Sequence, residues 1–171
     1  MKRPSPISSQ GRQSPLVDGP LAHKNGWANW LDSLAPWTHA VTLTCKRKSH
    51  RNHPITDHII CSSAKHVVRL INTKCFGKGA RKGASIAVAA TYGWGTYGLH
   101  PHLHFCFAHP KHLSYEAFSE LVDEAATKTY WIDRERCTKP YLSKGWASYL
   151  IQHGTDQLIL DLVTPSASCR D

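Results

Sequence analysis

The chain has 171 residues, with 21 lysines and arginines against 12 aspartates and glutamates, a formal charge of +9 and a pI near 9.4. That length holds one domain with a full core, or one domain plus a loose tail, and the charge favours a polyanionic partner, nucleic acid ahead of an anionic membrane. No apolar run reaches the roughly 20 residues of a spanning helix, no basic amphipathic helix stands out, and residues 1–21 have no signal-peptide core, so no membrane partner is expected.

Residues 1–24 read as a disordered basic arm, 25–163 as the folded domain and 164–171 as a tail. Trp27, Trp30, Leu31 and Leu34 sit at helical spacing within Gly26–Leu34. Trp37–Lys46 reads as a strand with Val41, Leu43 and Cys45 on one face and Ala40, Thr42, Thr44 and Lys46 on the other. The basic loop Lys46-Arg47-Lys48-Ser49-His50-Arg51 is either solvated or a phosphate-binding edge. Pro54 suits a first helical turn, and Ile55, Ile59, Ile60, Ala64, Val67, Val68 and Ile71 predict an amphipathic helix over 55–75. Gly77–Gly83 is a basic turn that lacks the Gly-Lys-Ser/Thr ending of a phosphate loop. Strands are expected over 85–92 and 101–108, the latter delayed by Pro101. Ser114 can cap a helix with Phe118, Leu121, Val122, Ala125 and Ala126 as its core stripe. Ile132–Thr138 follows as a strand containing the charged run Asp133-Arg134-Glu135-Arg136, expected to be solvated and salt-bridged. A helix over Ser143–His153 ends at Gly154, and Gln157–Val163 is read as a closing strand. The order β-α-β-β-α-β-α-β suggests one central sheet with helices packed on it. Six cysteines, none in a Cys-x-x-Cys pair, read as free thiols, with Cys45 and Cys106 as core-strand residues.

The most informative stretch is Leu99-His100-Pro101-His102-Leu103-His104-Phe105-Cys106-Phe107. Alternation puts Leu99, Leu103, Phe105 and Phe107 on one face and His100, His102, His104 and Cys106 on the other. Imidazole is the commonest metal ligand, and two at i and i+2 can chelate one ion. In the helix over 143–153, Ala147, Leu150 and Ile151 form the core stripe, while Trp146, Tyr149 and His153 occupy another face. Taken alone, Tyr149 is a boundary tyrosine with a packed ring and a wet hydroxyl. Trp94 and Tyr97, just before the histidine strand, either anchor the loop or stack on unpaired bases.

In three motifs the chain resembles the HUH endonucleases, and within them the single-tyrosine rolling-circle replication initiators. Thr38-His39-Ala40-Val41-Thr42-Leu43-Thr44 is similar to the family's first strand motif, His102-Leu103-His104 to the motif that names the family, and Gly145-Trp146-Ala147-Ser148-Tyr149-Leu150-Ile151 to its nucleophile helix. With that element order, the resemblance implies a ferredoxin-like, RRM-like core, and the expected fold is α+β, a single domain with a central antiparallel β-sheet flanked by helices. It also implies metal-dependent nicking and joining of single-stranded DNA through a 5′-phosphotyrosine on Tyr149, at the start of rolling-circle replication. His102 and His104 would hold a divalent ion, Mn²⁺ or Mg²⁺, with His100 or Glu135 as the third ligand. Thr44, Lys46, Arg47, Lys48, Lys144 and Gln152 would contact DNA. The expected partners are single-stranded DNA or an origin hairpin and a separate helicase, for a monomer in the cytoplasm, or in a host nucleus if the chain is viral. Two positions depart from the family pattern. Gln152 stands where a lysine is usual, and Ala89–Gly98 offers no carboxylate as a ligand. His100, preceding Pro101, alternatively just closes a turn.

Related transposases and relaxases share these parts. A non-catalytic nucleic-acid binder with structural zinc on His102, His104 and Cys106 is the alternative from another class, although a second ligand pair at zinc-finger spacing is missing. A metal-dependent amidohydrolase is excluded by length, since its (β/α)8 barrel needs about 250 residues.

Overall fold

The computed structural model describes residues 20–95, 100–142, 145–151 and 157–165. Helix α1 (Pro20–Ser33) precedes β1 (His39–Cys45), α2 (Asp57–Phe76), a 3₁₀ turn (Gly77–Lys82), β2 (Ala87–Gly93), β3 (His102–Ala108), α3 (Tyr115–Thr127), β4 (Ile132–Pro140) and α4 (Gly145–Leu150). The four strands form one antiparallel sheet in the order β2-β3-β1-β4. From β1 to β4 this is the split βαββαβ arrangement, an α+β fold in a single domain with helices on both faces of its sheet.

Alternation along the strands divides the interior into two layers. Val41, Leu43, Val88, Ala90, Leu103, Phe105 and Phe107 face α2 and α3, meeting Ile60, Val67, Ile71, Phe118 and Val122 in the main core. On the reverse side Ala87, Ala89 and Cys106 meet α1 and α4 through Ala28, Leu31, Ala147, Leu150 and Ile151. Both long helices start where the sequence places a hydroxyl. Thr56 accepts from the Ile59 amide and Ser114 from the Ala117 amide. The described cysteines are free thiols, and burial pushes the Cys45 thiol up to about 12.

Gln157–Val163 is not a continuous strand. Leu158 and Thr164 each make one bridge, to Thr91 and Val88 of β2, and Leu160–Leu162 winds into a 3₁₀ turn between them. The reason is that this segment must serve both layers at once: Leu158 packs with the α1/α4 layer and its neighbour Ile159 with the main core. The segment thus wraps the β2 edge and shields it from pairing with another chain. At the opposite edge β4 exposes Asp133, Arg134 and Glu135, as its charged run suggested, with Arg136 Nε 3.7 Å from Asp123. Among the described residues no helix is long and apolar enough to cross a membrane.

At the far end of the sheet from the histidine pair, His39 is fully buried, its ring stacked 4.1 Å from that of Tyr115. Its Nε2 lies 3.1 Å from the Tyr115 carbonyl, to which it donates, and the Thr38 hydroxyl lies 2.7 Å from Nδ1. Burial lowers its pKa from the ordinary histidine value. The native state therefore binds fewer protons than the unfolded chain between that lowered value and about pH 6.5. His39 thus contributes stability that is present above about pH 6.5 and lost as the pH falls through its folded-state pKa. We expect the urea midpoint to drop from about pH 8 to about pH 5, and His39→Gln to flatten that dependence. An identical slope in the variant would remove His39 as the cause.

Candidate active site

On the α1/α4 side of the sheet, cross-strand pairing sets side chains in rows. Thr91, His104, Thr42 and Cys137 form one row across β2, β3, β1 and β4, and Gly93, His102 and Thr44 form the next. Helices α1 and α4 cover the alanine and cysteine row behind these, so cover thins toward His102. His104 is 6 % exposed, whereas His102 is half-buried.

The two imidazoles stand with ring centroids 4.5 Å apart and planes at 68°. His102 Nδ1 is 2.7 Å from the His100 carbonyl, and since a carbonyl only accepts, Nδ1 carries the proton. Its lone pair is then on Nε2. His104 Nδ1 lies 3.0 Å from Thr42 Oγ1, a hydroxyl that can donate to that nitrogen or accept from it. Such outer contacts orient histidine ligands and fix the ligating nitrogen. Gly93, directly across from His102, lets the imidazole tip lie close against its backbone. A Cβ there would stand 2.7 Å from Nε2 and 3.2 Å from Cε1. Gly95 holds the loop tightly in the left-handed region, at φ +61°.

Helix α4 brings the phenol to this floor. Ala147 and Leu150, with Ile151 just beyond, are buried on the sheet, which turns Trp146 and Tyr149 along the histidine row. The Trp146 Nε1–H donates to the Phe105 carbonyl at 3.3 Å, and its indole stacks on Tyr149 with centroids 5.1 Å apart at 22°. Tyr149 in turn presents its ring at 80° to His104, 5.0 Å between centroids, and is 43 % exposed. Other tyrosines are committed elsewhere. Tyr141 donates its hydroxyl to Asp32 at 2.8 Å and its pKa is pushed far up by burial, while Tyr115 stacks on His39. Among the described residues, Tyr149 is the tyrosine in ring contact with the histidine pair.

The remaining expected residues divide. Thr44 sits beside His102, and Arg47 and Lys48 are exposed on the loop after β1. Lys46 reaches the Tyr130 carbonyl at 2.5 Å and lies 4.6 Å from its ring centroid. His100 contributes its backbone carbonyl to His102 and its side chain is exposed. Glu135 lies exposed in the irregular stretch of β4 opposite Thr44. Among the described residues no group of three histidine, cysteine or acidic side chains is arranged to hold a metal, so neither candidate third ligand is placed in such a set. Cys106 points to this face but is buried beneath α4, where desolvation and then the charge of Asp32 push its thiol far up. Trp94 anchors its loop, donating to Asp57 at 2.9 Å beside the Tyr92 hydroxyl at 3.2 Å. Lys144, Gln152, Tyr97, Leu99 and His153 lie outside the described residues, as does most of the N-terminal arm.

Sequence reasoning did not single out Trp146, Gly93 or Thr42 as parts of the site, nor the cleft of about 270 Å³ that Thr42, Cys137, Lys139 and Trp146 line beside it. Strand alternation could have placed Thr42 beside His104; Gly93 becomes visible only through register. No family model, curated protein or solved structure matches the chain.

His102, whose Nδ1 proton is set by the His100 carbonyl, and His104 beside it could together hold a first-row divalent ion. We expect Thr42→Val to lower Mn²⁺ affinity by about 10- to 100-fold, and Gly93→Ala to lower it by obstructing Nε2. Titration calorimetry on the folded variants checks both, and unchanged affinity in the pair would reject this seat.

Proposed function

We propose that this protein is a metal-dependent endonuclease and strand transferase acting on single-stranded DNA, with Tyr149 as nucleophile, and that it initiates rolling-circle replication. The observation that carries the reading is the ring contact of Tyr149 with buried His104, whose centroid is 4.5 Å from that of the half-buried His102, where the cover of the sheet thins. The three HUH-like motifs, read earlier in sequence, fall on β1, β3 and α4, which surround this spot.

His102 and His104 would hold the ion through Nε2. Bound there, it would supply Lewis-acid stabilisation of the charge that builds on a scissile phosphate. Imidazole ligands suit Mn²⁺ better than Mg²⁺, which prefers an all-oxygen shell. The His100 carbonyl and Thr42 hold the two rings in register, and Trp146 holds the phenol against them. Tyr149 Oη attacks phosphorus and forms the new P–O bond as the bond to the 3′ oxygen breaks. The phenol proton passes to solvent, which the half-exposed ring reaches, and the departing 3′ oxygen takes one back. The product is a 5′-phosphotyrosine and a free 3′ hydroxyl. Because the phosphotyrosine keeps the ester, a 3′ hydroxyl can run the same step backwards and rejoin the strand. Arg47 and Lys48, exposed near the His102 end, would neutralise backbone phosphates without reading sequence. Lys139, on the wall of the adjoining cleft, is placed to do the same. Strand opening would fall to a separate helicase.

Incubation with labelled single-stranded oligonucleotides and Mn²⁺ should give a covalent adduct on a denaturing gel. Tyr149→Phe should abolish the adduct while binding persists, and His102→Ala with His104→Ala should abolish metal-dependent cleavage. An adduct that survives Tyr149→Phe overturns the assignment of nucleophile. Folding that depends on a metal, with no cleavage, would favour the zinc-stabilised binder instead.

A further inference from the structure

A second cleft, of about 380 Å³, opens between α2 and the turn that leads into β4, at the small end of ligand-sized sites. His58, Ser62 and His66 come to it from one stripe of α2, at four-residue steps, and Tyr130, Trp131 and Lys128 face them from the turn. No carboxylate lines it. The nearby acids are engaged: Asp57 receives Tyr92 and Trp94, and Glu124 pairs with Lys74 and Lys128.

The aromatic wall is tied to the basic loop. The Tyr130 hydroxyl accepts from the His50 amide at 3.0 Å and lies 2.6 Å from His50 Nδ1, while Lys46 lies over its ring. Ser49 Oγ accepts from the amides of Arg51 and His53, so Arg47, Lys48 and Arg51 project from an internally bonded loop. This cleft also adjoins the sheet end that carries His102. The Cys45 amide donates to the Pro101 carbonyl at 2.7 Å and the Lys46 amide to the Trp131 carbonyl at 2.9 Å. The cleft lies on the α2 side of the sheet and the histidine pair on the other, so a strand joining them would have to pass around this end, past the loop.

We propose that this cleft is a second nucleic-acid subsite, which takes one unpaired base of the bound DNA strand while its neighbouring phosphates run along the 46–51 loop. The inference rests on the reading of the protein as one that binds single-stranded DNA. Aromatic walls hold a base by stacking, which tolerates any sequence, and the exposed cations Arg47, Lys48 and Arg51 of the adjoining loop attract the polyanion beside it. Histidine and serine on the facing helix offer hydrogen bonds to a base edge.

The test measures binding of a labelled oligothymidylate to the full chain in chelator, where no nicking occurs. Ser62→Trp fills the cleft from an exposed helix position, and Tyr130→Ala removes one wall. Each should weaken binding about tenfold with an unchanged circular dichroism spectrum. A 5-iodouracil oligonucleotide should photocrosslink to the peptide containing Tyr130 and Trp131. Undiminished binding by Ser62→Trp, or crosslinks confined to other peptides, overturns the subsite. Those outcomes leave the nickase reading intact if the Tyr149 adduct still forms. Conversely, cleft-dependent binding without any adduct sinks the nickase alone, and a wild-type chain that binds no single-stranded DNA sinks both.

Discussion

The proposed nicking chemistry depends on the edge-to-face contact between Tyr149 and His104, and that contact depends on unequal cover of the two sheet faces. The main core is closed by two long helices, α2 and α3, whose aliphatic stripes match Phe105, Phe107 and Leu103. On the reverse face α4 has six residues, and it buries Ala147 and Leu150 over the small side chains Ala87, Ala89 and Cys106. Small residues on the floor let the helix approach closely, so its next face lands at the height of the imidazoles. A larger residue at 89 or 106 would lift the helix and separate phenol from ring.

The aromatic cluster also explains how an exposed tyrosine keeps one orientation. Trp146 binds the sheet through the Phe105 carbonyl and offers its face to Tyr149 and its edge to His104. Offset stacking and edge contacts of this kind each contribute about 0.5–1.5 kcal/mol beyond area burial. That is enough to hold a ring whose hydroxyl end remains in water. Asp32 supports the layer from α1 by taking the Tyr141 hydroxyl just after β4.

Much of this was legible in the sequence because alternation is a local signal. The faces of β1 and β3, the stripes of α2 and α3 and the caps Thr56 and Ser114 follow from residues close together in the chain, although Thr56 was not singled out there. A central sheet with helices packed on it followed from element order. What escaped was set by partners distant in sequence. Gly93 matters because it pairs with His102, and the tail after α4 bends because Leu158 and Ile159 serve opposite layers. A run of alternating apolar residues reads as a strand either way. Trp94 left loop anchoring and base stacking both open in the sequence, and Asp57, at the start of α2, takes its indole N–H as an anchor.

The absence of a three-residue ligand group among the described side chains bears on the proposed chemistry. A closed structural metal site surrounds its ion with protein donors, whereas a catalytic one keeps positions open. On the proposed reading, two imidazoles on adjacent same-face positions of one strand would leave room for water and substrate oxygen on the ion. Such a seat would bind metal weakly by itself and more strongly once a phosphate shared it, so metal and DNA affinities would rise together by linkage. That coupling would suit a reversible transesterification, because the phosphotyrosine and the 3′ hydroxyl would both stay near the same charge and the step could run in either direction.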